Sequence, residues 1–261
     1  MSLAAPAGAA GHVRRLYLPS ETVVHRLPGH LKLVAALGFV CAVVATPRER
    51  FWAFGAHALA LGTVVAIARI PVRTLLGRMT IEIPFVAFAL LLPVLSTGPR
   101  VDVLGMALSV DGLLAAWNIL AKATLGLTTS IVLSATTDVR DLLAGLARLR
   151  TPPLIVQIAG FMIRYGDVVV DETRRMRIAR ESRGFVARDL RQLATLSRAV
   201  AAMFIRVYER GERVHLAMLS RGYTGQPPGL AEAPATGVQW ATALSLPMAA
   251  AAVAAACWIV S

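Results

Sequence analysis

A chain of 261 residues that is 56% hydrophobic and only 16% charged is too apolar for an ordinary soluble domain, which runs roughly 45–50% apolar, and the same composition excludes disorder. Its 27 Lys+Arg against 15 Asp+Glu give a formal charge of +12, but basic residues scattered through apolar sequence fit the cytoplasmic loops of a polytopic membrane protein, not a nucleic-acid surface. Cys41 and Cys257 both lie inside apolar runs, which leaves no disulfide framework and no cysteine-based metal site.

Residues 1–30 are Ala/Gly-rich and then basic, without an apolar stretch leading to a small-residue cleavage site, and read as a cytoplasmic N-terminal segment. Apolar spans follow at 31–46, 52–68, 83–97 and 112–135, a four-span bundle over residues 31–135. A final helix at 238–260 occupies residues 237–261. Several spans are short against the ~20 residues that cross a bilayer core, so a locally thin bilayer or longer helix ends are needed. Trp240 and Trp258 stand about 27 Å apart at helical rise, the spacing of two interfacial anchors.

Arg14, Arg15, Arg26 and Lys32 precede or open the first span, and Arg69, Arg73 and Arg78 separate the second from the third. The alternate loops are poorer, with Arg48 and Arg50 beside Glu49, and Arg100 beside Asp102 and Asp111. About five spans, with the N-terminus inside and the C-terminus outside, put every arginine-rich segment on the cytoplasmic side. Lys122, with Asn118 on the same face, and His57 fall within spans. An ionisable group there costs at least ~2.5 kcal/mol at the bilayer centre and is a functional candidate by default; pairing within the bundle for Lys122 and packing for His57 are the alternatives. Pro84, Pro93 and Pro247 are kinks that a helical bundle tolerates.

Residues 136–236 lack a convincing span yet are strongly patterned. Asp138 is an N-cap for a short helix through Leu149, and Thr151-Pro152-Pro153 stops it and starts the next. From Leu154 the apolar residues Ile158, Met162, Tyr165, Val169 and Met176 keep a helical period up to Gly184. A second stripe, Leu190, Leu193, Leu196, Val200, Phe204, Val207, Gly211, Val214 and Met218, alternates spacings of three and four. Its other face carries Arg191, Arg198, Arg206, Arg210 and Arg213, with Glu209 placed i,i+4 to Arg213.

The two long helices end alike. Arg175 through Phe185 aligns without gaps on Arg213 through Tyr223, bringing Ser182-Arg183-Gly184 onto Ser220-Arg221-Gly222 and Ala179 onto Ala217. Each glycine is where a helix stops in the left-handed conformation, and each arginine sits at the exposed last turn. A guanidinium there can reach into an acidic groove and bind a carboxylate through two hydrogen bonds. Two equivalent plugs imply two similar partner subunits; ordinary C-caps with solvated arginines are the competing explanation.

In these features the chain resembles the transmembrane T component of energy-coupling factor (ECF) transporters. That family has a membrane bundle, long cytoplasmic coupling helices with two arginine-centred motifs, usually Ala-Arg-Gly or Ala-Arg-Ser, and a final span. The resemblance runs from His25-Arg26-Leu27 and Lys32-Leu33 to the last span, with Ser in place of the commoner Ala at Ser182 and Ser220. Arg164-Tyr165 and Asp171-Glu172-Thr173-Arg174-Arg175-Met176-Arg177 are most similar to the cobalt-type, CbiQ-like branch.

The resemblance implies an all-α polytopic bundle with long amphipathic coupling helices. Ser182, Arg183, Gly184, Ser220, Arg221 and Gly222 would engage two ABC-type ATPase subunits, and the chain would move a small substrate-binding membrane subunit for cobalt or nickel uptake. A vitamin system such as biotin is the alternative, because the substrate pocket would lie on another chain. No P-loop occurs here, so the chain is expected to be non-catalytic and without cofactor. His12, His25, His30, His57 and His215 show no paired ligand spacing, and no metal site is assigned. An intramembrane serine protease using Ser130 or Ser134 with His57 lacks a Gly-x-Ser motif and leaves the long helices unexplained. A scaffold bound to membrane lipid through its basic helices is a further alternative.

Overall fold

The computed structural model describes residues 16–97, 99–103, 106–184, 193–223 and 235–259, which are helical almost throughout. Arg14, Arg15 and His12, together with Phe185, Leu190 and Arg191 of the amphipathic region, lie outside the described residues. The chain divides into two compact units, one built from Leu16–Leu149 and Glu232–Ser261, the other around Arg150–Ala231.

The first unit holds α1 (Gly29–Ala45), α2 (Phe51–Ile67), α3 (Val72–Met79), α4 (Ile83–Leu95), α5 (Val110–Thr136), α6 (Val139–Arg148) and α9 (Gly237–Ile259). A single 3₁₀ turn, Thr80–Glu82, joins α3 to α4, so that Val72–Leu95 forms one helical stretch of 24 residues, whose most apolar 18 residues have a mean hydropathy of 1.8. The helix that carries the third apolar run therefore begins well before residue 83, because Arg73 and Arg78 break the apolar run in sequence without breaking the helix. The loop after α4 is an antiparallel hairpin, β1 (Arg100–Val103) with β2 (Met106–Ser109), pairing Arg100 with Ser109. Sequence pattern gave no sign of it.

The core of this unit is where α1, α2, α5 and α9 meet. Phe39, Ala42 and Val43 pack with Phe54, Leu61, Leu125 and Ala250. Outward-facing Leu59, Phe88, Leu90 and Leu95 are exposed, an apolar exterior that a water-soluble monomer rarely presents. Val110–Thr136 and Gly237–Ile259, like Val72–Leu95, are long and apolar enough to cross a bilayer, and α1 and α2 are apolar helices of 17 residues each. The protein is an integral membrane helix bundle.

The last four carbonyls of a helix have no intrahelical partner. At the end of α1 each finds one elsewhere. The Thr46 hydroxyl donates to Ala42 at 2.9 Å and the Thr46 amide to Val43 at 3.3 Å. Lys122 Nζ donates to the Val44 carbonyl at 2.8 Å, and Trp258 Nε1 to that of Ala45 at 3.1 Å. His57 Nε2 lies 3.1 Å from the same Thr46 hydroxyl, and its ring stands edge-on to Phe39. Both in-span groups, Lys122 and His57, therefore have hydrogen-bond partners at this helix end.

A second knot ties the N-terminal segment to the bundle. Leu18 N–H donates to the Ala135 carbonyl at 2.9 Å, and buried Lys32 spans the carbonyls of His25 at 3.0 Å and Thr136 at 2.7 Å. His25 Nε2 donates to the Leu18 carbonyl at 3.0 Å, which leaves Nδ1 to accept from the Thr22 hydroxyl at 2.7 Å. Burial lowers the His25 pKa from its ordinary value, and the Lys32 charge adds to that against the Leu18 hydrogen bond, which opposes it. On the same side, α6 begins at Asp138, whose carboxylate accepts from the Val139 N–H at 2.7 Å, and crosses α1 closely. A Cβ on Gly145 would come within 2.6 Å of the His30 nitrogen.

Candidate coupling site

The second unit contains α7 (Pro153–Glu181) and α8 (Leu193–Leu219). Pro152 and Pro153 open α7, as proline does best at a first turn where its missing N–H is not needed. The apolar residues of α7 are concentrated in its first half, giving an 18-residue window of mean hydropathy 1.4 that is itself long and apolar enough to cross a bilayer. The sequence had placed no span between 136 and 236, because the dense charges from Asp171 to Glu181 mask that window when the helix is read as a whole.

The helices touch through Thr173, whose hydroxyl is 3.1 Å from Met203 Sδ, and through an ion pair of 2.6 Å between Glu172 and Arg206. From this crossing they diverge around a cleft of about 770 Å³. Its walls are α7 residues that precede the crossing, such as Ile158, Phe161 and Tyr165, and α8 residues that follow it, such as Val214 and Met218. Only antiparallel helices share a cleft in this way. The C-terminal ends of α7 and α8 consequently point in opposite directions, and the two Ser-Arg-Gly segments are kept apart, not gathered into one pocket.

Those two ends have the same backbone geometry. Ser182 N–H donates to the Ile178 carbonyl at 2.9 Å and Ser220 N–H to that of Leu216 at 3.0 Å. Arg183 bonds back to Arg180 at 3.1 Å and Arg221 to Met218 at 3.1 Å; Gly184 bonds to Glu181 and Gly222 to Leu219, both at 3.0 Å. Gly184 has φ +76° and Gly222 φ +80°, a region that L side chains enter at a cost of roughly 1–2 kcal/mol. The Tyr223 N–H then donates to the Met218 carbonyl at 3.0 Å, completing the paired bonds of a Schellman cap. Each serine hydroxyl donates to the carbonyl three residues back, Ser182 to Ala179 at 3.1 Å and Ser220 to Ala217 at 3.0 Å.

The serines thus turn inward onto their own helices and the caps hold the arginines at the last turn. Arg183 and Arg221 are exposed, and neither guanidinium makes a hydrogen bond or ion pair among the described residues. Neighbouring charges are committed, with Arg177 to Glu181 at 2.7 Å and Arg213 to Glu209 at 3.9 Å, the second being the i,i+4 pair anticipated from sequence. Two rigidly presented guanidiniums, each on a capped helix end, can dock bidentately with carboxylates. No group of three or more His, Cys, Asp or Glu able to hold a metal ion occurs among the described residues.

The chain thus combines a bundle of helices apolar enough to span a bilayer with an antiparallel pair of long helices. Residues 20–230 match the family model for "Cobalt transport protein", and the chain belongs to that family, CbiQ, the cobalt-type transmembrane components of ECF transporters. Cobalt transport protein CbiQ of Rhodobacter capsulatus is 25% identical over 208 residues, covering 78% of this chain and 82% of that protein. The energy-coupling factor transporter transmembrane protein EcfT of Bacillus subtilis is 28% identical over 228 residues, covering 80% and 83%. EcfT of Bacillus selenitireducens is 26% identical over 226 residues, covering 80% and 82%.

Sequence reasoning found both helix ends but missed the residues that hold the bundle together. Lys32 entered as a basic residue opening the first span and as part of a family resemblance, and Thr46 and Trp258 carried no sign of capping α1, since the carbonyls they serve are set by distant chain.

Proposed function

We propose that this chain is the coupling subunit of an ECF importer for cobalt, or for nickel by similarity of the ions, and that Arg183 and Arg221 are the plugs by which two ABC-type ATPase subunits grip it. The observation that carries this reading is the matched pair of capped helix ends, each with an exposed arginine free of partners among the described residues. ATP binding closes the two ATPases. Because the plugs sit at opposite ends of an antiparallel pair, that closure changes the angle between α7 and α8 and so displaces a small substrate-binding membrane subunit. ATP hydrolysis and the metal pocket belong to those partner chains. The cobalt assignment leans on the family match, and the EcfT relatives support the broader energy-coupling role. The N-terminus, residues 1–30, and the region 136–236 are placed on the cytoplasmic side of a bacterial plasma membrane, with residues 31–135 and 237–261 in the bilayer.

The test is cobalt uptake in cells expressing Arg183→Glu, Arg221→Glu and the double variant, with membrane levels of the chain and co-purifying ATPase measured together. Each single change is expected to weaken uptake and ATPase recovery, and the double change to abolish both at normal membrane level. Full uptake by the double variant overturns the mechanism.

A further inference from the structure

Among the described residues only two that are not glycine take a positive φ, Arg69 at +54° and Arg150 at +60°, and both are arginine. Glycine enters that region freely, and Asn or Asp can relieve it with a short polar side chain; arginine has no such compensation. Arg69 occupies it in a complete Schellman cap at the end of α2. Its N–H donates to the Ala66 carbonyl at 3.0 Å, and the Ile70 N–H to that of Val65 at 3.3 Å. Glycine would make the same two bonds without strain, so the turn itself does not account for an arginine.

The neighbours fix where the side chain goes. Ala68 and Ile70 are buried on either side, packed with Val132 and Ala135 of α5, and Arg69 between them is exposed. Ile67 before it, and Val72 and Leu76 after it, are exposed apolar side chains, as on a surface covered by lipid. The 17 residues of α2 rise about 26 Å against a hydrocarbon core of about 30 Å. A residue two positions past its end therefore lies at the core boundary, where a long arginine side chain extends to the phosphates. Neither the Arg69 nor the Arg73 guanidinium makes a hydrogen bond or ion pair among the described residues. Between Glu49 and Glu82 the sequence holds no acidic residue to neutralise them.

We propose that Arg69 is kept in this strained turn because its guanidinium binds the phosphate of an anionic phospholipid, with Arg73 in the first turn of α3 as a second basic contact. The planar fork of Arg69 offers two parallel N–H groups to the phosphate oxygens. Stability at the turn is given up for a charge at headgroup level. The site needs neither ATPase nor substrate subunit, so it stands independently of the coupling role.

Arg69→Gly tests it, because glycine relieves the turn and removes the guanidinium in one change. The purified full chain in detergent should then melt at a higher temperature than the wild type and bind anionic lipid less well. In native mass spectrometry with phosphatidylglycerol or phosphatidylcholine at equal concentration, the wild type should retain phosphatidylglycerol in excess. Arg69→Gly should lower that excess about fivefold, the contribution of one basic residue near an anionic surface. Arg69→Lys keeps the charge and the strain, and should melt like the wild type with an excess between the two. Arg48→Gln, which removes a basic residue beside Glu49 in the loop after α1, should leave the excess unchanged. An unaltered excess in Arg69→Gly overturns the proposal, as does an equal loss in Arg48→Gln. A lower melting temperature in Arg69→Gly also overturns it, by making the arginine a structural part of the turn. A photo-crosslinker at Val72 in native membranes should label phospholipid; labelling of a protein instead assigns Arg69 to a protein carboxylate and overturns the lipid site.

Discussion

Lys32 Nζ lies 2.7 Å from the carbonyl oxygen of Thr136, 104 residues away, so the first helix of the bundle is tied to the end of α5 by one buried ammonium. The same nitrogen holds the His25 carbonyl. Lys32→Met leaves both acceptors without this donor in a buried setting. At about 1–3 kcal/mol for each unsatisfied group, the variant should unfold at clearly lower temperature in detergent. A thermal melt equal to that of the wild type would show that other donors replace the ammonium.

His25 makes this knot sensitive to acid. Burial holds its pKa below the ordinary 6.5, so the folded protein prefers the neutral ring. Its contribution to stability is complete above the unfolded value and is lost as pH falls through the lower folded value. Melting temperature should therefore drop on acidification from pH 7.5 to 5, and drop less in His25→Gln, which keeps hydrogen-bonding capacity without a titratable ring. Parallel pH profiles for the two proteins would remove His25 from the account.

Lys122 tests packing against transport within the bilayer. Lys122→Met deprives the Val44 carbonyl of its donor and should cost about 1–3 kcal/mol of stability. Cobalt uptake per folded molecule should stay near the wild-type level. A loss of uptake at unchanged stability would return Lys122 to the transport path.

Gly145 and Gly211 should respond in opposite directions to the same change. Gly145→Ala drives a methyl against the His30 nitrogen and, as overpacking, should destabilise by roughly 1–3 kcal/mol. Gly211→Ala meets open space and should stabilise by up to about 1 kcal/mol, read as a higher melting temperature. Thermal melts of the two variants, side by side, check both.

Gly184→Ala and Gly222→Ala keep each guanidinium but place a side chain at positive φ. The strain, roughly 1–2 kcal/mol per site, should loosen the caps and reduce ATPase co-purification without the total loss expected from removing the arginines. Recovery of ATPase equal to that of the wild type in the double alanine variant would mean that the arginines act without their caps.

Local signals in the sequence were dependable where the physics is local. Asp138 caps α6, Pro153 opens α7, and Gly184 and Gly222 end their helices, because each depends on the conformational preference of one residue and its near neighbours. The membrane character followed from composition and the long helices from their apolar period, while the all-α bundle came with the family resemblance. What escaped was set at a distance. Nothing beside Gly145 announces that α1 crosses there, and nothing beside Trp258 announces the Ala45 carbonyl. The hairpin at 100–109 lacks the Asn-Gly or Asp-Gly turn that betrays such ribbons. The site was legible as two motifs, but their separation to opposite ends of the helix pair depends on helix direction, which a repeat in sequence leaves free.

The hydrogen bond from Trp258 to Ala45 also orders events in time. The two residues are 213 positions apart, so α1 emerges from the ribosome long before the side chain that completes its end has been made. At roughly 5–20 residues per second the interval is on the order of 10–40 s. Throughout it the growing bundle holds an open carbonyl at the foot of its first helix, and insertion of the last helix closes it. The bond that completes the end of α1 can therefore form only after the last helix of the chain has been made.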